Sequence, residues 1–432
     1  MAAHVFSLTD GTTTVTLDES NGFIVTGFVL DAPEVTTREV AQENVDGAEL
    51  PGVAYRNVTR TLDLLLKGAS TSALQTLARS IDALLVSAHR RQRTGKGPRV
   101  YVQIQLDSEA STWRSEILTG RLRMSDEALQ QWIGKKVEAQ LFITTRFYWE
   151  GPETELQLSA NGQSAATGGR SVDNASNNWV QIASSQVGGV LPTPVKLTLT
   201  NNSGGSVTYR NLFLAVNAFS DAANFSHTIA GGAYSSYSFT NTGSTQWTLA
   251  SSLLQDTQGR WFRLLVRFSG WSGTDIYIKP TLRDGSGLVP LWEGDEVKLG
   301  TSGTYFVDLG ALPLPVGGYQ TAWGQMVLFW SVRATGSATI QVDRIQLTPL
   351  DSYRWLVQRG LAIANGGAIT DDNIEGITHA GGSPIYSPKT GPLFVFPGVL
   401  QRIYVLQDTG SASATGTSFS VRAYIRERRL SV

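Results

Sequence analysis

The chain has 432 residues, of which 41% are hydrophobic and 16% are charged, a composition typical of a soluble protein of two or three domains. Its 35 basic and 36 acidic residues leave a net charge of −1, so nothing suggests nucleic-acid binding, which needs a clustered basic excess. Cysteine is absent, which excludes disulfides, a thiol nucleophile and cysteine-ligated metal or iron–sulfur sites.

Residues 1–150 are predicted to contain a β-sheet. Residues 5–10 and 13–18 alternate apolar and polar side chains around Gly11, which is the pattern of a β-hairpin. Residues 58–67 (VTRTLDLLLK) alternate in the same way. Further strand patterns lie at residues 22–35, 99–106, 113–124 and 135–148. Residues 126–132 are predicted to form a turn or a short helix.

One amphipathic helix is predicted between these strands. Apolar side chains recur at positions 74, 77, 78, 81, 84, 85 and 88, which is a single stripe at the helical period. Ser70 or Thr71 can cap its start, and Gly95 can end it after a basic run that complements the helix dipole. The economical arrangement is an α+β domain with this helix on one face of the sheet.

The composition changes after residue 152. Residues 157–190 are rich in Ser, Ala, Asn, Gly and Gln, and are predicted to be a linker. Residues 194–201 alternate strictly, turn at 202–205 and resume at 207–216, which predicts a β-hairpin of the type found in sandwiches. No sequence repeat is evident, so neither a solenoid nor a propeller is expected.

Residues 221–350 contain short strand patterns at intervals of about ten residues, the rhythm of a sandwich or jelly roll. The patterns lie at residues 235–240, 247–254, 261–268, 275–282, 305–309, 326–333 and 338–347. Residues 351–432 continue in the same style. Because the strand run at 194–220 looks unfinished, we predict an insertion: a discontinuous β-sandwich of residues 165–220 plus 351–432, interrupted by a jelly roll at 221–350.

No motif predicts catalysis or a cofactor, so a non-enzymatic protein without a metal site is expected. The four histidines lack metal-ligand spacing, and the chain has no P-loop, dinucleotide-binding glycine motif or nucleophile elbow. Two acidic clusters, at residues 371–375 and 293–296, could be acid/base pairs or calcium-binding loops, but solvated turns are the simpler interpretation. No apolar stretch approaches the roughly 20 residues of a membrane span, and the first residues lack a secretory-signal pattern.

Aromatic residues are concentrated in the middle of the chain. Six of the eleven tryptophans fall between residues 247 and 330. Trp261 and Trp330 stand in apolar strands and are expected in a core. Candidates for stacking on sugar rings are the aromatic residues of Gly-rich loops or strand edges, namely Trp271, Trp292, Trp323, Tyr277 and Tyr319. Core packing and subunit contacts are the alternative, since aromatic side chains are favoured there too.

Residues 422–429 (RAYIRERR) are basic and alternate like an edge strand. The segment could contact an acidic neighbouring subunit or protect an exposed sheet edge from pairing, and either role is structural.

The first 150 residues resemble the N-terminal domain of distal tail proteins, the ring-forming adaptors of siphophage tail tubes. The resemblance rests on the order of an early hairpin, long strands, the helix at residues 70–89 and the closing segment KKVEAQLFITTRFYWEG (residues 135–151) with its aromatic run. Residues 189–201 resemble the start of the β-sandwich modules that follow in phage tail proteins. Residues 338–347 (ATIQVDRIQL) resemble the closing strand of carbohydrate-binding jelly rolls.

The resemblance implies a mainly β structural virion protein, a tail-tip or baseplate hub with a ring-forming α+β domain at residues 1–152. It implies a homo-oligomeric ring, commonly hexameric, that contacts the tail tube protein and other tail-tip proteins after assembly in the host cytoplasm. The outer modules would hold receptor-binding proteins or touch a host-surface glycan. The alternatives are a glycan-binding tandem β-sandwich protein for surface attachment, and a glycoside hydrolase or lyase with a binding module.

Overall fold

The computed structural model describes residues 4–41, 48–107, 109–124, 135–173, 178–217, 226–228, 235–249, 261–284, 288–299, 305–313, 326–350, 353–385, 391–409 and 418–431. The predicted fold class is confirmed: the chain is mainly β, with one α-helix in these ranges and several antiparallel sheets. The predicted turn or short helix at residues 126–132 lies outside the described residues.

The elements follow the chain in this order: β1 (Val5–Thr9), β2 (Thr14–Leu17), a 3₁₀ turn (Glu19–Asn21), β3 (Phe23–Val29), β4 (Val35–Ala41), β5 (Ala48–Tyr55), β6 (Val58–Lys67), α1 (Thr71–Thr94), β7 (Tyr101–Gln105), β8 (Thr112–Met124), β9 (Lys136–Thr145), β10 (Trp149–Glu155), β11 (Leu158–Ala160), β12 (Gln163–Ala166), β13 (Arg170–Val172), β14 (Trp179–Ile182), a 3₁₀ turn (Ser184–Gln186), β15 (Thr193–Asn201), β16 (Val207–Asn217), β17 (Ser226–Thr228), β18 (Ser235–Leu249), β19 (Trp261–Arg283), β20 (Pro290–Glu293), β21 (Val297–Lys298), β22 (Tyr305–Pro313), β23 (Met326–Pro349), β24 (Tyr353–Ile363), β25 (Ala368–Asp372), β26 (Ile377–Ala380), β27 (Ser383–Pro384), β28 (Phe394–Val395), β29 (Gln401–Asp408) and β30 (Phe419–Arg429).

The chain divides into two compact units, and each is discontinuous. The first comprises Met1–Glu153, Gly189–Leu191 and Arg426–Val432. The second comprises Thr154–Gly188 and Pro192–Ile425.

In the first unit the predicted hairpin is confirmed, since β1 pairs with β2 in antiparallel register. β1 also pairs with β7, and β7 with the first part of β8. A register shift between Ile117 and Thr119 lets the second part of β8 pair with β9 instead. β9 continues through β6 to β3. β8 therefore belongs to two sheets. The bend in this strand gives the first unit a curved sheet surface.

The predicted helix is also confirmed. The Ser70 side chain accepts a hydrogen bond from the backbone N–H of Ala73, and Gly95 ends the helix in the left-handed region at φ 66°. The apolar stripe of α1 is buried against strands β1, β6 and β8 in one core, including Leu74, Ile81 and Leu85. Each fully buried leucine or isoleucine contributes about 1.5–3 kcal/mol, so this stripe holds the helix on the sheet.

The predicted linker at residues 157–190 is wrong. β12, β11 and β14 lie in one sandwich sheet, ordered β12–β11–β14–β29–β16–β24, and β13 pairs with β30 opposite. Leu158, Val172 and Ile182 are each 1% exposed or less. In β11 and β14, buried apolar side chains alternate with side chains that face outwards. The polar residues of the outer faces dominate the composition of this segment, which therefore resembles the composition of a linker.

The predicted hairpin at residues 194–216 is wrong too. β15 pairs with β25 and β30, whereas β16 pairs with β24 and β29, so the turn between them crosses from one sheet to the other. Buried Asn201 holds this turn, because its Nδ2 donates to the carbonyl oxygens of Gly205 (2.9 Å) and Ile363 (2.8 Å). Alternation predicts a strand with one buried face, but it does not identify the partner strand.

A separate core in the second unit is built by β17 to β23. β18, β19 and β23 have 15, 23 and 24 residues, and each merges two of the predicted short strands. Register shifts bend the β19–β23 pair, so that both ends of β19 supply the same core, with Phe262 from one end and Leu282 from the other. Trp330 is fully buried as predicted, but Trp261 is 53% exposed, because it is the first residue of β19.

Candidate interaction surfaces

An open sheet edge in the first unit is formed by β3. Among the described residues β3 pairs only with β6, so its other side offers unpaired backbone groups. Phe28 and Val29, at the end of the strand, are 43% and 49% exposed. Phe28 also packs on Phe6, with ring centroids 5.1 Å apart. An unpaired edge beside exposed apolar side chains is typical of a site where another chain adds a strand.

The two-stranded arm of β4 and β5 is anchored at its base. The Tyr55 ring stacks on Phe147 with centroids 5.4 Å apart. Arg60 is buried with its guanidinium 4.4 Å from the Trp149 ring centroid, and it donates to the carbonyl oxygen of Asp31 (3.3 Å). Burial lowers the pKa of Arg60 to about 10. The aromatic run at residues 147–149 therefore fixes the chain on both sides of the arm, a role that sequence reasoning missed.

The outer face of the β3–β6–β9–β8 sheet carries an open concavity of about 670 Å³. Polar and charged side chains line much of it, including Asp63, Arg123, Glu138 and Gln140. The Gln140 Nε2 donates to Asp63 Oδ1 at 2.8 Å. Charges of both signs suit a polar protein surface better than a small apolar ligand.

Two of the predicted sugar-binding tryptophans face the core formed by β18 to β23. Trp271 is 6% exposed and meets Phe268 edge-to-face, with ring centroids 5.7 Å apart, so little of its surface is open to a sugar. Trp292 of β20 pairs with Leu282 of β19, so both side chains lie on the same face of the sheet. Since Leu282 is a core residue, half-buried Trp292 points towards the core as well.

Tyr277 lies on the opposite, outer face of β19. The Arg333 guanidinium carbon is 3.7 Å from its ring centroid, and the Lys298 Nζ is 5.5 Å away. Arg333 donates from Nε to Glu296 Oε1 at 2.6 Å and from Nη2 to Glu296 Oε2 at 2.5 Å. Lys298 Nζ lies 2.5 Å from Asp275 Oδ1. Arg333 therefore covers the Tyr277 ring, and the charged groups around this ring are of the kind that bond sugar hydroxyls.

The predicted sugar-binding residues therefore do not form one platform. Tyr277 and Trp292 project from opposite faces of the sheet, and Trp271 lies in the core. Tyr319 and Trp323 lie outside the described residues. Sugar binding through these five residues stays a prediction.

The acidic cluster around Asp371 contains a buried ion pair. Asp371 is 0% exposed, and its Oδ1 accepts from Arg354 Nε (2.7 Å) and Thr378 Oγ1 (2.8 Å). Asn373 Nδ2 donates to the other carboxylate oxygen at 2.9 Å. Burial raises the pKa of Asp371, against the lowering effect of Arg354 and these hydrogen bonds. Asp372 caps the following turn through its Oδ1, so the contacts of both carboxylates are structural.

The second acidic cluster forms exposed ion pairs. Glu293 bonds Lys279 and Glu296 bonds Arg333, and both carboxylate pKa values are lowered by these hydrogen bonds. Within the ranges that the structure describes, no three His, Asp or Glu side chains are grouped to hold a metal ion. In the same ranges, no helix has the length and apolar character needed to cross a membrane.

A small apolar cluster inside the second unit joins strand β19 to strands β16 and β24. Leu265 of β19 packs with Phe213 of β16 and Tyr353 of β24. Beside it, Arg263 Nε lies 3.0 Å from Asp308 Oδ2. Burial raises the pKa values of Asp308 and Tyr353. Sequence reasoning missed this group because its members come from three separate strands.

No family model and no curated protein matches the chain. Solved structures that resemble it include the SPP1 Dit (gp 19.1) protein, described as a hub adsorption apparatus in phages that infect Gram-positive bacteria. That structure has a TM-score of 0.28 and 11% identity, over 79% of this chain and 99% of the Dit chain. The phage p2 baseplate in its activated conformation, with Sr or with Ca, has a TM-score of 0.27 and 8% identity, over 80% of this chain and 98% of the baseplate chain. Likeness of this size assigns neither a family nor a function.

Proposed function

We propose that the protein is a non-enzymatic structural component of a phage tail tip, a distal tail or baseplate hub protein that forms a homo-oligomeric ring through its first unit. The observation that carries the proposal is the β3 edge, where unpaired backbone groups lie beside Phe28 and Val29. A soluble protein protects such an edge with charges, prolines or a covering element, or else uses it for assembly. Two of the three exposed side chains of β3, Phe28 and Val29, are apolar, which favours assembly.

A ring removes the exposed edge in every copy. Head-to-tail contacts between identical subunits close into a ring when the rotation between neighbours allows it. The curved sheet of the first unit, in which β8 joins two sheets, is compatible with a rotation between neighbouring subunits. The charged outer concavity around Asp63 and Arg123 offers a polar surface for the tail tube protein or another tail-tip protein. The site of action would be the virion tail tip, after assembly in the host cytoplasm.

For the second unit we propose the predicted domain division: a sandwich at residues 165–220 plus 351–432, and a jelly roll inserted at 221–350. In support, β16 pairs with β24 and β29, which follow the proposed insertion in sequence. The junction of Leu265 with Phe213 and Tyr353 would hold the inserted module at a fixed angle for presentation to other components.

A second candidate function is attachment to a host-surface glycan through the jelly roll. Tyr277 favours it, because this ring lies on the outer face among charged groups that can bond sugar hydroxyls. The two candidates are compatible, since a hub protein can carry a module that touches the host surface.

The ring is tested by placing a charge on the β3 edge. Val29→Lys should leave the fold intact, because the side chain is 49% exposed, and should convert rings to smaller species in sedimentation velocity. The matched control is Val86→Lys on α1, where the side chain is 54% exposed and lies away from the edge strand. Rings that persist in Val29→Lys as in Val86→Lys would contradict assembly through this edge.

A further inference from the structure

The segment at residues 426–431 is part of the first unit, although its sequence follows the whole of the second unit. Arg426 Nη1 donates to the carbonyl oxygen of Gly151 at 3.0 Å, across 275 positions of sequence. The backbone N–H of Val190 donates to the carbonyl oxygen of Arg428 at 3.0 Å. A Cβ on Gly189 would lie 2.4 Å from that same oxygen, so only glycine fits this approach. The segment is therefore bound by two parts of the chain that lie far from it in sequence, one at Gly151 and one at residues 189–190.

The strongest contacts of the segment come from Arg428. Its Nε and Nη2 lie 3.2 and 2.8 Å from Glu150 Oε1, and its Nη2 donates to the Tyr148 hydroxyl at 3.0 Å. The guanidinium carbon is also 3.9 Å from the Tyr148 ring centroid. Glu150 is 4% exposed, and its second carboxylate oxygen is 3.3 Å from Arg114. A buried carboxylate needs both cations, because an incompletely paired charge is costly away from water.

Arg429 makes a second contact with the first unit, over the ring of Trp113. Its guanidinium carbon lies 4.2 Å from the ring centroid of Trp113, and its Nη1 is 3.6 Å from Glu109. Trp113 is 3% exposed and belongs to the core of the first unit. Without the segment, the Trp113 ring would be opened to solvent and Glu150 would lose one of its cations.

We infer that residues 426–431 form a clamp that completes the first unit, so that this unit becomes competent for assembly only after the second unit has been synthesised. The contacts that close the first unit span about 275 positions of sequence, so a nascent chain that contains residues 1–153 alone lacks them. An interrupted chain would expose Trp113 and an underpaired Glu150, and would be kept out of a ring. The consequence for ring assembly rests on the proposed function, whereas the clamp itself does not.

The clamp is tested in the full chain by Arg428→Ala, with hydrogen exchange read by mass spectrometry. Losing charged hydrogen bonds to Glu150 should speed exchange in β10 and the first part of β8 by at least about tenfold. The matched control is Arg422→Ala, an exposed arginine of the same strand β30 whose nearest carboxylate is 3.9 Å away. Arg428→Lys keeps the charge but loses the paired geometry, and should give a smaller increase. It is also the variant to use if Arg428→Ala does not fold.

Exchange in β10 and β8 that matches the Arg422→Ala control in both Arg428 variants would overturn the clamp. The assembly consequence is judged separately, by sedimentation of the same proteins. If the wild-type chain forms no ring, the proposed function fails, yet the exchange result still decides whether the clamp exists. If the wild type forms rings and Arg428→Ala exchanges faster but assembles equally well, the clamp stands and its control of assembly is overturned.

Discussion

The Arg60 guanidinium lies 4.4 Å from the ring centroid of Trp149, and both side chains are at most 1% exposed. Thr145 Oγ1 accepts from Arg60 Nε at 2.9 Å, and among the described residues no carboxylate hydrogen-bonds this buried cation. The Trp149 ring therefore adds to the electrostatic compensation that the charge of Asp31 gives to Arg60. This pairing gives the aromatic run a structural purpose: Trp149 stabilises Arg60, and Arg60 holds the chain that leads into the β4–β5 arm.

Trp149→Ala should strongly destabilise the first unit. A large cavity forms and the Arg60 cation loses its ring, so the cost should be about 3–5 kcal/mol. The free energy of opening is measured by native-state hydrogen exchange in β6 and β9. Trp261→Ala serves as the control, because this tryptophan is 53% exposed in the second unit. A loss under about 1 kcal/mol would show that the pairing contributes little.

Asp371→Ala should destabilise the sandwich much more than Asp372→Ala. Removing the Asp371 carboxylate takes away the 2.7 Å ion pair of Arg354, which is 8% exposed, at a cost of about 3–5 kcal/mol. Asp372 only caps a turn, so its loss should cost about 1 kcal/mol. Chemical denaturation followed by sandwich tryptophan fluorescence compares the two. Equal losses would contradict the account of Asp371 as a buried ion pair.

The Asp308 group predicts a pH dependence of stability. Burial raises the native pKa of Asp308 above its ordinary value of 3.8, so between 3.8 and the native pKa the folded chain holds a proton that the unfolded chain has lost. The stabilisation that comes from binding this proton is fully present below pH 3.8 and is lost as the pH rises through the native pKa of Asp308. Relative to Asp308→Asn, the wild type should therefore gain thermal stability as the pH falls from 7 towards 4. A wild type that loses stability relative to Asp308→Asn over this range would show that pairing with Arg263 dominates instead.

Trp271→Ala should lower the stability of the protein, whereas Tyr277→Ala should weaken glycan binding and leave the stability nearly unchanged. Trp271 is buried in the core formed by β18 to β23, so its loss should cost about 3–5 kcal/mol. Tyr277 lies on the outer face, so Tyr277→Ala should change the melting temperature little and weaken retention in affinity electrophoresis through host-wall polysaccharide. Unchanged retention of Tyr277→Ala, measured beside a wild type that is retained, would exclude this residue from glycan binding. A wild type that passes freely would remove the glycan-binding candidate itself.

Local signals in the sequence predicted local structure well. The bounds of β6 are those predicted, and α1 is capped by Ser70 and Gly95 as expected, because alternation, helical period and caps are properties of neighbouring residues. Partner choice was not predictable. β15 and β16 looked like a hairpin but pair with strands from far along the chain, which periodicity does not encode.

The candidate surfaces were predictable only in part. Tyr277 was named among five aromatic candidates, but the sequence did not distinguish its outer position from the core position of Trp271. The clamp was missed because its partners, Arg428 and Glu150, are 278 positions apart. The basic run at residues 422–429 indicated an interaction with acidic groups, and at Arg428 the acidic group belongs to the same chain.

The central claim is that the first unit assembles into a ring, and the most direct test is the mass and symmetry of the purified full-length protein. Light scattering combined with negative-stain microscopy measures both on one sample. The account predicts a closed ring with a central hole, whose mass is a whole multiple of the chain mass. A protein that stays monomeric at its highest soluble concentration, and that also fails to add to isolated tail tubes, would contradict it.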